Sequence, residues 1–422
     1  MSIYGCLSEV LFTAARPFLG RKYTEGNDQR YGHYDPSIAK NALWVHAVSV
    51  GEVQSAYPFV EQVRARMPRL PVLLSTVTQT GRRMSGQLLG ETITPIYYPW
   101  DAPSILRRAL DTLRPRAFVS VETEIWPEML HQLKKRRIPS FLLNARLSQC
   151  SFKKFYRFKS FWGGVIGRYT LIMARSEEER QRFIAIGAQR ERVKVTGDCK
   201  ADALMERKNR ADLSELAPFF SPSRRVIIAG STHPGEEACV FQAYKALKGT
   251  FPDLRIVVVP RHPERALSVT AEARRQGLKG VCVMSETKEN QPWDVMVVDR
   301  IGVLFPAYGF AEAAFLGGSL VQKGGQNVME PAIWGIPCCQ GPDYHDFTQA
   351  TRALCGVGLC QIVHNAHEMT RFFESVLQWK NPETFRKASD VFFASLGGAA
   401  LRSWKLVEPY LSSAASEHEG EL

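Results

Sequence analysis

Leu43-Trp-Val-His-Ala-Val-Ser-Val-Gly-Glu-Val-Gln-Ser-Ala-Tyr-Pro58 opens on an apolar run and breaks at Gly51. The run reads as a buried parallel strand, and Tyr57, Phe59, Val60 and Val63 recur at the spacing of a helix's inner stripe. Glu52 therefore stands at the mouth of a strand-to-helix turn. Ligands of doubly wound sheets lie at such mouths, and a helix N-terminus favours an ionised acid, the form a general base needs. Two readings stay open here: Glu52 caps its helix, or it accepts a proton.

Outward from this stretch, Leu43 to about Asp198 alternates strand and helix. PVLLSTV, TPIYYP, RAFVSVE, IPSFLLNA, YTLIMAR and RVKVTGD are the further strands, with amphipathic segments between them. Continuous apolar strands separated by such helices predict a parallel sheet covered on both faces, a Rossmann-like domain. Residues 201–222 lose the pattern and read as a linker. The alternation then restarts with RRVIIAGST, LRIVVVPRHP, VCVMS, WDVMVVD, FAEAAFLGGS, IPCCQ and GLCQIVHN. The expected organisation is an N-terminal segment 1–40, a first Rossmann-like domain 41–200, the linker 201–222, a second such domain 223–381, C-terminal helices 382–411 and a disordered tail 412–422.

The 422 residues hold 54 Lys and Arg against 42 Asp and Glu, a formal net charge of +12. Residues 1–210 contain 34 basic against 19 acidic side chains, an excess of 15, and the remainder carries −3. Such a half attracts an anion: nucleic acid, a membrane surface or a phosphorylated substrate. Nine scattered cysteines with no Cys-x-x-Cys read as reduced core thiols of a cytoplasmic protein, without zinc or disulfides. Residues 1–20 are apolar but interrupted by Glu9 and Arg16. They are too punctuated for a spanning helix and lack signal-peptide features. An in-plane amphipathic helix followed by Arg21 and Lys22 fits them, unless they pack on the protein itself. Ser151-Phe-Lys-Lys-Phe-Tyr-Arg-Phe-Lys-Ser-Phe-Trp162 interleaves basic and aromatic residues and suits anionic lipid beside that helix, unless its aromatics are core.

Glu122 ends the strand FVSVE and Lys200 follows RVKVTGD, so two more charged groups stand at strand mouths. In the second half, Ser231 and Thr232 before a helix from Pro234, Pro260-Arg261, and Gly317-Gly318-Ser319 through Gly324-Gly325 to Asn327-Val328-Met329-Glu330 occupy strand ends. Glycine-rich turns and helix starts bring backbone N–H groups to a phosphate, Arg261 adds a charge-assisted contact, and Glu330 suits a ribose diol. Neither first strand is followed by Gly-x-Gly-x-x-Gly, which argues against a dinucleotide. The absence of Asp-x-Asp leans away from a metal-dependent diphosphate donor. The residues alone support a two-lobed glycosyltransferase or sugar epimerase closing on a donor and an acceptor.

His46-Ala-Val-Ser-Val-Gly-Glu52, Thr76 through Thr80-Gly81, Glu122-Thr-Glu-Ile-Trp-Pro127, Asn144-Ala-Arg-Leu-Ser148, Thr196-Gly-Asp-Cys-Lys200, Ser231-Thr-His-Pro-Gly-Glu-Glu237, Pro260-Arg-His-Pro-Glu-Arg265, Gly317-Gly-Ser-Leu320 and Gly324-Gly-Gln-Asn-Val-Met-Glu-Pro331 together resemble the lipid A 3-deoxy-D-manno-octulosonic acid (Kdo) transferases. The resemblance implies a GT-B fold, two Rossmann-like domains facing a cleft, with CMP-Kdo as donor and the lipid A precursor (lipid IVA) as acceptor. It also implies inversion without metal or cofactor, in lipopolysaccharide synthesis at the cytoplasmic face of the inner membrane. The family's proton acceptor falls on Glu52, and its transition-state stabilisers fall on Glu122 and Lys200. Its CMP contacts fall on Pro260, Arg261, Gly302, Val303, Leu304 and Asn327 through Glu330; the reading of the strand-end loops adds Ser231, Thr232, Gly318 and Ser319 as further donor contacts. Gln326 and Val328 depart from the family's frequent His and Pro. The rivals are a UDP-sugar 2-epimerase and a basic nucleic-acid-binding protein, the latter predicting steeply salt-dependent affinity and leaving the second half's loops unused.

Overall fold

A computed structural model describes residues 3–22, 24–220, 224–379, 381 and 383–416; the side chains of residues 3, 16–22 and 413–416 are outside that description. The chain forms two compact units, residues 1–203 with 396–422, and residues 204–395. In the first, β1 (Leu43–His46), β2 (Val72–Thr76), β3 (Thr94–Tyr97), β4 (Ala117–Val121), β5 (Ser140–Ala145), β6 (Leu171–Ala174) and β7 (Val193–Val195) form one parallel sheet in the order β3-β2-β1-β4-β5-β6-β7. In the second, the strands are β8 (Val226–Thr232), β9 (Arg255–Pro260), β10 (Val281–Val283), β11 (Val295–Val297), β12 (Ala313–Leu316), β13 (Cys338–Gln340) and β14 (Cys360–Ile362). They are again all parallel, in the order β10-β11-β9-β8-β12-β13-β14. These are the strands expected from the apolar runs, and the fold is the GT-B pairing of Rossmann-like domains.

Every residue of β1, β2, β4, β5 and β6 is buried, as a sheet covered on both faces requires. Successive side chains feed opposite layers: Leu43, Val45, Leu74 and Val119 join one core, while Trp44, Leu73 and Phe118 join the other. The strand order reverses between β1 and β4 in the first sheet and between β8 and β12 in the second. Crevices at the carboxyl ends of strands flanking such a reversal are where doubly wound sheets bind ligands.

Several boundaries differ from those expected. The proposed N-terminal segment 1–40 does not stay apart from the fold. A helix spans Ile3–Lys22, but Arg30, Tyr31 and Tyr34 are buried in the first unit. Arg30 lies over the Tyr97 ring at 4.4 Å and donates to the Val77 carbonyl at 2.7 Å. The expected linker begins inside a helix, Cys199–Asn209, whose polar exterior hides the buried Cys199, Ala201 and Leu204 on one side. Leu216 and Phe220 are buried core residues of the second unit. The last helix, Ala399–Ser416, runs into the expected tail. It returns to the first unit, where Ala400, Trp404, Val407 and Leu411 pack with Ala56, Val60 and Val63. Asp202 accepts the Gly398 and Ala400 N–H groups at 2.6 and 2.7 Å and fixes its start. Residues 417–422 lie outside the described ones. All nine cysteines are free thiols, but Cys6 and Cys150 are exposed on helices rather than core.

Candidate active site

The first unit gathers its charged residues at the carboxyl ends of β1, β4, β5 and β7. Glu52 opens the helix Val50–Arg66, and its Oε2 accepts the Val48 N–H at 2.6 Å while the Ser49 hydroxyl approaches Oε1 at 3.4 Å. The carboxylate therefore caps the turn before its own helix, one of the two readings its position allowed. It remains only half-buried. The helix start does not make it more acidic. Burial raises its pKa, outweighing the Val48 N–H, and the neighbouring Glu122 charge adds to the rise.

Glu122 directly follows β4 and adopts a left-handed φ of 59°. A non-glycine residue held there is strained by about 1–3 kcal/mol, and such strain concentrates at functional sites. Its carboxylate is buried but surrounded by donors: Lys200 Nζ at 2.9 Å, Arg146 Nε at 2.7 Å and the Ser55 hydroxyl at 3.1 Å. Burial pushes its pKa up, and the Lys200 and Arg146 charges with the Ser55 bond pull it net downward. Lys200 is thus an ion-pair partner of Glu122 in this structure. Arg146, absent from the expected site, carries the same signal as the others, since it directly follows β5. Asn144 also has a left-handed φ of 53°, and its Oδ1 accepts the Cys199 N–H at 3.1 Å, anchoring the helix that carries Lys200.

The second unit repeats the strand-end geometry with different occupants. Ser231, in the last turn of β8, has φ 53°. Gly317 is needed beside it, because a Cβ there would lie 2.4 Å from the Ser231 carbonyl oxygen. The expected phosphate contacts at Gly318 and Ser319 do not form an open cradle. The buried Glu236 carboxylate accepts the N–H groups of Gly318, Ser319, Leu320 and His233 at 2.7–3.0 Å, so an internal anion already fills that nest. Ser319 is fully buried, with its hydroxyl bonded to the Leu316 carbonyl and the Gly341 N–H. Thr232 is buried too; its carbonyl accepts the Arg261 N–H at 3.0 Å, and Ser231 is half-buried.

Arg261 extends its side chain to solvent just after β9 and its buried terminal Pro260. Gly302, with φ 92°, is exposed, whereas Val303 is buried and Leu304 half-buried. The helix expected from Asn327 begins at Met329 and has five residues, because the Asn327 side chain and carbonyl instead cap the turn, receiving the Met329 and Glu330 N–H groups. Val328 is a core residue with no exposure. Val303 and Val328 thus present only backbone at this edge. Glu330 Oε1 pairs with Arg207 at 2.9 Å, and that guanidinium lies 3.8 Å from the centre of the Phe305 ring.

At the first unit's surface, Tyr4 and Phe12 of the N-terminal helix face inward, Tyr4 donating to Asp101 at 3.0 Å and Phe12 stacking on Trp100 at 5.6 Å. Leu7, Val10 and Leu11 face outward with 66%, 70% and 63% of their surface exposed. The basic aromatic stretch forms two helices, Gln149–Arg157 and Lys159–Ile166. Phe152, Phe155 and Trp162 pack on the core, whereas Tyr156, Phe158 and Phe161 are exposed. The Tyr4 and Phe161 rings are 6.1 Å apart, so the start of the N-terminal helix lies beside the second of these helices. The expected roles of Arg21 and Lys22 fall on side chains outside the described ones. Among the described residues no helix is long and apolar enough to cross a membrane, and no group of three or more His, Cys, Asp or Glu is placed to hold a metal ion.

Residues 25–203 match the family model described as 3-deoxy-D-manno-octulosonic-acid transferase (kdotransferase). Over 394 residues the chain is 30% identical to the 3-deoxy-D-manno-octulosonic acid transferase of Haemophilus influenzae, covering 92% of each protein. It is likewise 30% identical over 398 residues to that of Bordetella pertussis, covering 90% of each. Among solved structures, the UDP-GlcNAc 2-epimerase from Neisseria meningitidis superposes with a TM-score of 0.60 at 14% identity, over 88% of this chain and 100% of that one. That likeness concerns the fold alone.

Proposed function

The chain belongs to the 3-deoxy-D-manno-octulosonic acid transferase family, and from that premise we propose that it moves Kdo from CMP-Kdo to a lipid A precursor with inversion at the anomeric carbon. One observation carries the mechanism: the half-buried Glu52 carboxylate, made more basic by burial, at the mouth of β1 beside the reversal of strand order. Glu52 takes the proton of a glucosamine hydroxyl while that oxygen bonds to the Kdo anomeric carbon. The bond from that carbon to the CMP phosphate breaks, and CMP leaves with the electron pair. Glu122, ionised between Lys200 and Arg146, stabilises the positive charge that develops on the sugar. Lys200 and Arg146 balance the Kdo carboxylate through the same ion-pair group.

In the second unit, exposed Arg261 receives the CMP phosphate, and backbone of Gly302–Leu304 and Asn327–Met329 with the Glu330 carboxylate meets the cytidine and its ribose. Ser231 is the remaining donor contact beside them. The exposed Leu7, Val10 and Leu11, together with Phe158 and Phe161 among Lys153, Lys154, Arg157 and Lys159, suit docking on an anionic membrane. The acceptor's acyl chains lie in such a surface, and the reading that follows is an enzyme working at the cytoplasmic face of the inner membrane.

The test is to incubate the purified protein with CMP-Kdo and lipid A precursor in detergent and weigh the product. A mass gain of one or more Kdo residues supports the proposal; no gain, with conversion of a UDP-sugar to its 2-epimer seen by NMR in a parallel incubation, would replace it with the epimerase reading. Glu52→Gln is expected to lower transfer by at least about a thousandfold, because the acceptor hydroxyl keeps its proton. CMP binding by calorimetry should survive.

A further inference from the structure

His46 ends β1 completely buried, with its ring stacked on Tyr98 at 3.7 Å between centroids. Its Nδ1 lies 3.2 Å from the Ser75 carbonyl and 3.0 Å from the Ser75 hydroxyl; that hydroxyl accepts the Trp44 indole N–H at 2.8 Å and turns its own proton to the Val45 carbonyl at 3.4 Å, an arrangement that satisfies every group when Nδ1 carries the ring proton. Burial pushes the pKa of His46 down to about 3, so the ring is neutral and Nε2 is a bare lone pair. That buried Nε2 has no hydrogen-bond partner. Glu124 Oε2 faces it at 4.0 Å, about 1 Å beyond a hydrogen bond, a gap that a small χ rotation closes. The Glu124 backbone is pinned, with its N–H on the Val121 carbonyl and its carbonyl receiving the Tyr169 hydroxyl at 3.1 Å.

We propose that Glu124 is a positioning residue that acts as a neutral acid. Its O–H turns to the open lone pair of His46, so that Glu52 is the one unpaired negative charge at this strand edge. This deepens the reading of Glu52 as proton acceptor and rests on it. The groups facing Glu124 are His46 from β1, Glu52 from the next helix, Glu122 and the Trp126 indole N–H from its own loop, and the hydroxyls of Tyr98 and Tyr169. Glu122 already has Lys200 and Arg146, and no ion pair joins Glu124 to a Lys or Arg among the described residues. A second free carboxylate beside Glu52 would repel both the donor's anionic groups and the alkoxide character growing on the acceptor. Burial first, then the Glu52 charge and more weakly that of Glu122, push the Glu124 pKa up to about 8 against the opposing Trp126 indole N–H, in keeping with the geometry.

The experiment is the pH profile of kcat/KM for Kdo transfer by the full-length enzyme and by Glu124→Gln, whose amide offers an N–H to His46 and never ionises. The wild type should lose about tenfold between pH 7 and pH 9, as an acid of that pKa empties. In E124Q the ratio between the two pH values should stay near one, and its melting temperature relative to wild type should rise over the same interval. Glu124→Ala, with no donor for His46, should fall about tenfold at both pH values. An E124Q profile that declines like wild type, with a melting difference independent of pH, overturns the proposal. Glu52→Gln separates the two ideas: a dead E52Q with a wild-type E124Q profile sinks only this inference, and an active E52Q sinks the reading beneath it.

Discussion

Glu122 shows what one side chain requires when it ends a buried strand with its backbone turned left-handed. Its charge is tolerated because two cations and a hydroxyl reach it, and each is supplied by a different element. The sign of its linkage to stability follows. Its pKa is lower in the folded protein than in the unfolded chain, so it stabilises the fold above the unfolded carboxylate value, roughly pH 4.3 for Glu. That contribution is lost as the pH falls through the lower folded value. Lys200→Met removes one cation whose own side chain is 43% exposed, so screening limits the cost at pH 7 to about 1 kcal/mol. Acid unfolding followed by circular dichroism should move to higher pH in K200M, and an unchanged midpoint would show that Arg146 alone suffices. Glu52, Glu122 and Lys200 are legible in the sequence because each follows an apolar run. Their partners are not: pairing Lys200 with Glu122 joins residues 78 positions apart, and only the folded sheet brings β4 beside the helix after β7.

At the scale of the element, the 14 strands were readable because each is a short apolar run between turn residues, a signal that needs no tertiary knowledge. What occupies a glycine loop was not readable. Gly317-Gly318-Ser319 has the composition of an anion cradle, and it is one, but its anion is the chain's own Glu236, about 80 residues earlier at the start of the helix Glu236–Lys248. A carboxylate accepting four backbone N–H groups in a buried site holds β8, β12 and their loops in one geometry. Glu236→Ala would leave those donors without partners, at roughly 1–3 kcal/mol for each buried group that water does not reach. Urea unfolding should show a loss of about 3 kcal/mol or more. Glu236→Gln, retaining one acceptor oxygen, should lose less. Equal stability of E236A and wild type would mean that the nest accepts water or an external anion in place of the side chain, restoring the phosphate reading of this loop.

For the whole molecule, the proposed membrane docking joins the basic excess of residues 1–210 to the exposed Leu7, Val10 and Leu11, attraction to an anionic surface followed by insertion of apolar side chains. The returning helix Ala399–Ser416 shows where sequence order misleads: its stripe Ala400, Trp404, Val407 and Leu411 is recognisably apolar, but nothing along the chain says that its partner is the first sheet's helix rather than the second's. Docking separates into two measurable parts. Leu7, Val10 and Leu11, each with more than 60% of its surface exposed, supply the apolar part, and replacing all three by Ser removes contacts worth about 1.5 kcal/mol or more apiece on full burial. Lys153, Lys154, Arg157 and Lys159 supply the electrostatic part, about 1 kcal/mol each near an anionic leaflet and weakened by salt. Sedimentation with phosphatidylglycerol-containing vesicles should therefore show two patterns. The L7S/V10S/L11S variant should bind at least about a hundredfold more weakly and keep a salt-dependent remainder. A quadruple Lys/Arg→Gln variant should bind weakly at low salt and lose the salt dependence. Because Tyr4, Ser8 and Phe12 continue to hold the helix from its inner side, both variants should still transfer Kdo to an acceptor presented in detergent. Binding that survives both sets of substitutions would place the membrane-facing surface elsewhere on the first unit.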